Sequence, residues 1–219
     1  MVLGARRLEL LHQVAEPLGD AARVVALDVT DEASVTDFAR QVPQCRVLVN
    51  NAGGAKGLEP VAEMDPEKWR WMYETNVIGV GRMIRALLPA LLASGDGHVV
   101  TIGSVAGIEP YPGGAGYNAA KHAARAVTEV LRMELLGQPV RVTEIDPGMV
   151  ETDFSLVRFD GDAARAAAVY AGVTPLGPED IADCVAFAVT RPSHVDIDQM
   201  VVRPRDQARA HLLNRRPVT

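Results

Sequence analysis

"MVLGARRLELL", residues Met1–Leu11, joins an apolar run to a Gly-Ala turn, two arginines and a leucine-bearing helical pattern. Met1-Val2-Leu3 reads as a β-strand feeding a helix through Gly4 and Ala5. The same alternation recurs down the chain. Short apolar, β-rich runs at Met1–Ala5, Arg23–Leu27, Arg46–Val49, His98–Ile102, Val140–Ile145 and Gln199–Val202 alternate with helical patterns. Those patterns cover Arg7–Leu18, Asp31–Val42, Pro66–Ala93, Ala115–Leu136, Ala163–Ala171 and Glu179–Thr190. Near-continuous hydrophobicity suits strands buried on both faces, as in a parallel sheet covered by helices. Asp65 before Pro66-Glu67 is an N-cap with proline at the first helical position, and Pro178-Glu179-Asp180 opens another helix. Strand–helix alternation predicts an α/β fold in three layers.

A chain of 219 residues with 48% hydrophobic content suffices for one well-buried core and is short for two, so residues 1–219 are expected to form a single domain. The formal net charge of −6 and the lack of a Lys/Arg block argue against a nucleic-acid surface. Cys45 and Cys184 lie in apolar runs and read as buried thiols. His12, His98, His122, His194 and His211 show no ligand spacing, so no metal is expected. No run of about eighteen apolar residues is evident and no signal-peptide pattern opens the chain, which predicts a soluble cytoplasmic protein away from membranes.

Chemistry first shows in the helix Ala115–Leu136. Tyr117 and Lys121, four apart in "YNAAK", project from one face. An ammonium near a phenol favours the phenolate and brings its pKa of about 10 toward the working range. Taken alone, the pair is equally an amphipathic pair reaching solvent. Ser104, in "GSVAG" just past the strand His98–Ile102, stands at the carboxyl end of a parallel sheet, where ligands bind. It can hold a carbonyl oxygen, or merely satisfy the turn. "VNNAGG" carries Asn50, Asn51, Ala52 and Gly53 to the same edge. Asn76, unfavourable in mid-helix, requires a polar neighbour. Apolar residues spread around most of the girth of Ala115–Leu136, which suggests contact on two sides and a homodimer or homotetramer.

Asn50-Asn51-Ala52-Gly53, Asn76, Ser104, Tyr117-x-x-x-Lys121 and Asp146-Pro147-Gly148 with Thr152 together resemble the short-chain dehydrogenase/reductase family over essentially the whole chain. The resemblance implies a Rossmann-type doubly wound parallel sheet, a nicotinamide cofactor and a tetrad of Asn76, Ser104, Tyr117 and Lys121. In that scheme Tyr117 is the general acid/base and Ser104 holds the substrate oxygen. Lys121 lowers the tyrosine pKa and grips the cofactor ribose, and Asn76 holds a water that restores the proton. By the same resemblance Asn50, Ala52 and Gly53 line the cofactor, and Asp28-Val29 meets its adenine, although Asp28 can equally cap the next helix. Pro147, Gly148 and Val150 meet the nicotinamide, and Thr152 approaches the phosphates.

An acidic residue at the end of the second Rossmann strand would select NAD. That position carries no carboxylate here, and Arg6 and Arg7 instead suit a 2′-phosphate, which favours NADP(H). Two solvated arginines at a helix start are the plainer reading, disfavoured because cations there oppose the helix dipole. "GSVAGIEPYPGGAGYNAAKHA", "TEIDPGMVETDFSLVRFDGD" and "HVDIDQMVVRP" resemble the serine and 3-hydroxy acid dehydrogenase branch. An NADP-dependent oxidoreductase acting on a small 3-hydroxy acid or related aldehyde is therefore expected. Arg158 would pair with the substrate carboxylate, or with Asp160 or Asp162 on the surface. Tyr111 would supply a pocket wall. Other carbonyl reductases on this scaffold, or a non-catalytic scaffold protein, are the alternatives. The family's opening strand, its Gly-rich pyrophosphate turn and the helix after it have no counterpart before Met1, so the fold is expected with its first strand and helix missing. In strand order 3-2-1-4-5-6 that strand would lie between Met1–Ala5 and Arg46–Val49. Either those neighbours close the gap, or the chain is N-terminally incomplete, which is the expectation here.

Overall fold

The computed structural model describes residues 1–217. Strands β1 (Val2–Ala5), β2 (Arg23–Ala26), β3 (Val47–Asn50), β4 (Gly97–Ile102), β5 (Val140–Pro147) and β6 (Gln199–Val202) alternate with helices. These are α1 (Leu8–Ala15), α2 (Glu32–Arg40), α3 (Pro66–Tyr73), α4 (Gly79–Ala93), α5 (Ala115–Glu134), α6 (Phe154–Arg158), α7 (Ala163–Tyr170) and α8 (Pro178–Val189). All six strands pair in parallel, β1 with β2, and β3 through β6 in sequence order. The result is a three-layer α/β fold, as the alternation predicts, of the Rossmann-like type that the resemblance implies.

Local chemistry sets the helix starts. Asp31 caps α2 through the Ala33 amide, and Asp65 caps α3 through the amides of Glu67 and Lys68, with Pro66 at the first helical position. Asp180 reaches back 2.8 Å to the Gly177 amide at the start of α8. One apolar core threads the layers, joining Val25, Phe38, Leu48, Leu87, Leu91, Val99, Leu131 and Val142. Val99 and Val100 on the central β4 are fully buried, which is why that strand tolerates no alternation.

Strand register positions the site. Asn50 pairs with Thr101, Ile102 with Ile145, and Pro147 with Val202. The carboxyl ends of β3, β4 and β5 therefore lie at one edge, carrying Asn50, Ser104 and Gly148 to it.

Several features depart from the sequence expectations. The strands Val2–Ala5 and Val47–Asn50 do not pair with each other. The neighbours thus do not close the expected gap, and Val47 and Val49 on β3 stay about 40% exposed. The run Pro66–Ala93 is interrupted by a π-helical turn at Glu74–Ile78. Contrary to the expectation that no stretch is long enough, Pro66–Ala93 has the length and apolar character to cross a membrane. Its α4 half instead packs on α2, β3 and β4 and buries Val80, Met83, Ile84, Leu87 and Leu91, as a core helix does. Unforeseen too are α6 and a C-terminal antiparallel hairpin, β7 (Gln207–Arg209) with β8 (Leu212–Leu213). Glu109 holds that hairpin down: it accepts from the Ala210 amide at 3.1 Å and pairs with Arg209 at 3.8 Å, and Arg203 just before the hairpin donates to it at 2.7 Å.

Candidate active site

Helix α5 lies with Gly116, Tyr117, Ala120, Lys121, Ala124, Thr128 and Leu131 inward. Small residues make this close approach possible. A Cβ on Gly116 would meet Met72 Cε at 2.5 Å and Trp69 Cδ1 at 2.8 Å, and one on Gly107 would meet the Lys121 carbonyl oxygen at 2.9 Å. Tyr117 and Lys121 share the buried face, so the reading of them as a solvent-reaching pair does not hold.

Lys121 Nζ donates to the Ile102 carbonyl at the end of β4, at 2.9 Å, and lies 5.9 Å from the Tyr117 ring centroid. Burial drives the ammonium pKa down to about 8, against the pull of Asp146 and Glu144. Burial also raises the Tyr117 phenol above its ordinary value, and what opposes it is the Ser104 hydroxyl and then the Arg158 guanidinium. The sequence reading gave that role to Lys121. Here its ammonium donates to the Ile102 carbonyl from behind the ring, and Ser104 and Arg158 face the phenol as well. Ser104 Oγ also accepts from the Ala106 amide at 3.1 Å, so the turn role foreseen for this hydroxyl is present while it faces the phenol.

Asn76 sits in the π-turn, 1% exposed. Its Nδ2 donates to the carbonyls of Gly54 (2.9 Å) and Met72 (2.7 Å), and its Oδ1 accepts from the Gly54 amide at 3.2 Å. The polar neighbour that this residue required is thus the backbone of the Asn50–Gly54 loop. A Cβ on Gly53 would fall 2.7 Å from Asn76 Oδ1 and 3.7 Å from Lys121 Nζ, so glycine there lets three elements meet. Asn50 ends β3 buried, with its Nδ2 lacking a partner among the described residues, as befits a donor facing a ligand.

The expected cofactor residues spread along the same edge. Burial alone would raise the Asp28 carboxyl; bonds from the Thr30 hydroxyl and amide, with the Arg6 guanidinium nearby, hold it below the ordinary carboxylate range. Asp31, not Asp28, caps α2. Val29 is buried, and its Cγ2 would lie 2.8 Å from a Cβ on Gly79. Arg6 and Arg7 are exposed, and Arg7 stands 3.7 Å from Asp153, across from the Asp146–Phe154 turn. In that turn Pro147 is buried, and Gln207 of the hairpin accepts the Met149 amide at 2.8 Å beside Gly148. Val150 bridges Leu176, and Thr152 Oγ1 accepts from the Phe154 amide at 3.2 Å. Ala52 is exposed at the sheet edge.

Arg158 closes the site from above. Its Nε donates to the Gly57 carbonyl at 3.1 Å while its own carbonyl accepts from the Gly57 amide at 2.9 Å, and its Nη2 donates to the Tyr111 hydroxyl at 2.6 Å. The guanidinium carbon lies 5.5 Å from the Tyr117 ring centroid and 5.7 Å from that of Phe154. Neither carboxylate considered as a surface partner takes it: Asp160 pairs with Lys56, and Asp162 caps α7 through the Arg165 amide. Arg158 forms no ion pair among the described residues. Together with Lys56, Trp69, Met72, Gly114 and Tyr117 it lines a narrow pocket.

Sequence reasoning passed over Lys56, Trp69 and Met72, whose only signal was their place after the Asn50–Gly53 loop and in the first turns of an apolar helix. Gln207 gave none, because nothing local marks it as a prop for a turn 58 residues away.

A family model described as short chain dehydrogenase matches residues 1–162. An uncharacterized oxidoreductase of Mycobacterium tuberculosis is 57% identical over 100% of this chain and 86% of its own length. The NADP-dependent 3-hydroxy acid dehydrogenase of Escherichia coli is 39% identical over 97% of this chain and 88% of its own. Among solved structures, a closed form of serine dehydrogenase complexed with NADP+ superposes with a TM-score of 0.92 at 38% identity, covering 99% of this chain and 89% of that one.

Proposed function

We propose that this chain, which belongs to the short-chain dehydrogenase family, is an NADP-dependent oxidoreductase that interconverts the 3-hydroxyl of a small hydroxy acid and the corresponding carbonyl. One observation carries the substrate class: an Arg158 guanidinium without a carboxylate partner among the described residues, held 5.5 Å from the ring of the buried Tyr117. A carboxylate on the substrate would complete its charge and orient the carbon bearing the hydroxyl toward the phenol. The 3-hydroxy acid and serine dehydrogenases among the relatives act on substrates that fit this description.

The nicotinamide group supplies the hydride donor or acceptor. Asn50, Ala52 and Gly53, the Pro147–Val150 turn and Thr152 would hold it along the sheet edge, with Asp28 and Val29 toward the adenine and Arg6 and Arg7 toward a 2′-phosphate. The unpartnered Asn50 amide and the exposed arginines fit such a ligand. Tyr117 gives its phenolic proton to the substrate oxygen in reduction and takes it back in oxidation. Ser104 holds that oxygen by a hydrogen bond. Lys121 places an ammonium behind the phenol, and Asn76 keeps the Gly53–Gly54 backbone close to it. Arg158 fixes the substrate carboxylate, and Tyr111 orients Arg158.

The outward side of α5 presents Ala119, His122, Ala126, Val130 and Met133 in one exposed stripe, with Val130 45% and Met133 68% accessible. A homodimer or homotetramer that packs this stripe against a second copy accounts for it, in a soluble cytoplasmic enzyme.

Tyr117→Phe is expected to lower kcat by about a hundredfold to ten-thousandfold in a spectrophotometric NADPH assay, the span of general acid–base catalysis. Retained turnover would remove Tyr117 from the reaction. Arg158→Ala should raise KM for 3-hydroxy acids by about tenfold or more, the worth of a charged hydrogen bond, and leave KM for neutral alcohols nearly unchanged. Equal changes for both substrates would end the carboxylate role. In calorimetric titration Arg6→Ala is expected to weaken NADPH by about 1.5–3 kcal/mol and spare NADH. Light scattering should return a mass of two or four chains, and a single-chain mass would reject the packed stripe.

A further inference from the structure

Beneath the site, β5 carries two carboxylates where a central parallel strand calls for apolar residues. Glu144 and Asp146, two apart, point to the same face, 2% and 0% exposed. Their oxygens converge on one point: a Cβ on Gly103 would lie 2.2 Å from Asp146 Oδ1 and 2.6 Å from Glu144 Oε1. Two buried carboxylates this close cannot both be ionised. Their partners differ sharply. Burial raises the Asp146 carboxyl above its ordinary range, but its Oδ1 accepts the Ser104 amide at 2.9 Å and its Oδ2 accepts Gln199 Nε2 at 2.7 Å, both bonds that favour an anion. Glu144 Oε1 is buried with no partner among the described residues, and so is the hydroxyl of Thr101, its register partner on β4.

We infer that Glu144 and Asp146 share one proton, held by Glu144, and that the single charge left on Asp146 makes it the positioning residue that fixes the main chain of Ser104 at the end of β4. Its effect on Ser104 rests on the catalytic reading given above; the shared proton does not. Gln199 on β6 braces the far side of Asp146, so three strands hold the residue that presents the Ser104 hydroxyl to the substrate oxygen. The charged groups acting on Glu144 are Asp146 on its own strand and Arg125, Lys121 and Glu129 on α5, while β6 offers only the neutral Gln199. Burial first, and then the Asp146 charge, moves Glu144 up from 4.5 to about 8. A group neutral in the folded chain and ionised in the unfolded one contributes its full stability below the ordinary glutamate range. That contribution is lost as pH rises toward about 8, with no further loss above it.

Infrared difference spectroscopy of the whole chain tests the proton directly. A protonated-carboxyl band should be present at neutral pH, vanish above about pH 8, and be absent in Glu144→Gln. The decline of Tm from the ordinary glutamate range to about pH 8 should flatten in the same variant. A neutral-pH spectrum without the band, or a band that survives in Glu144→Gln, overturns the shared proton. For positioning, Asp146→Asn should lower kcat about tenfold or more in the wild-type background, yet less than about twofold when Ser104→Ala is already present. Equal losses in both backgrounds overturn an action through Ser104. A chain with the band and the slope but no turnover on any hydroxy acid rejects the enzymatic reading and upholds the pair.

Discussion

The bond from Lys121 Nζ to the Ile102 carbonyl fastens α5 to the end of β4, and the arrangement of the candidate site follows from it. Ile102 is the last residue of the central strand β4, and Lys121 lies one helical turn from Tyr117. Joining them sets the phenol against Ser104. Gly107 and Gly116 allow the approach by having no side chain to resist it. Asn76 completes the frame from the other side, because both amide hydrogens and the oxygen bond to the backbone of Gly54 and Met72.

This frame is electrostatically demanding. Burial opposes the charged forms of Tyr117 and Lys121 alike, and the groups that offset it reach in from separate elements. Ser104 comes from the β4 loop, Arg158 from α6, and the Asp146 charge from β5. Preorganised charges of this kind act strongly because little water screens them. Arg158 is itself clasped by both backbone groups of Gly57 and by the Tyr111 hydroxyl, so its guanidinium is oriented without a substrate present.

Much of the fold was legible because strands and helices have different hydrophobic periods. All six parallel strands and the longer helices fall within a few residues of their sequence expectation. The missed elements, α6 and the β7–β8 hairpin, are short and take their stability from distant partners such as Glu109. For the site, Tyr117, Lys121, Ser104 and Asn76 were visible as polar residues at strand ends or in apolar helices. Glu144 was equally visible in principle, a charge at alternate spacing in a strand that should be apolar.

Sequence alone determined the element types, the parallel character of the sheet and the identity of the residues delivered to the carboxyl ends of its strands, since these depend on local periodicity and turn chemistry. Tertiary structure decided which charges meet. That Ser104 and Arg158 join Lys121 around the phenol, that Asp160 is taken by Lys56 and leaves Arg158 free of an ion pair among the described residues, and that two carboxylates converge over Gly103 all depend on separations of a few ångströms between distant segments. Charge interactions and desolvation vary steeply over such distances, and no local pattern in the chain encodes them.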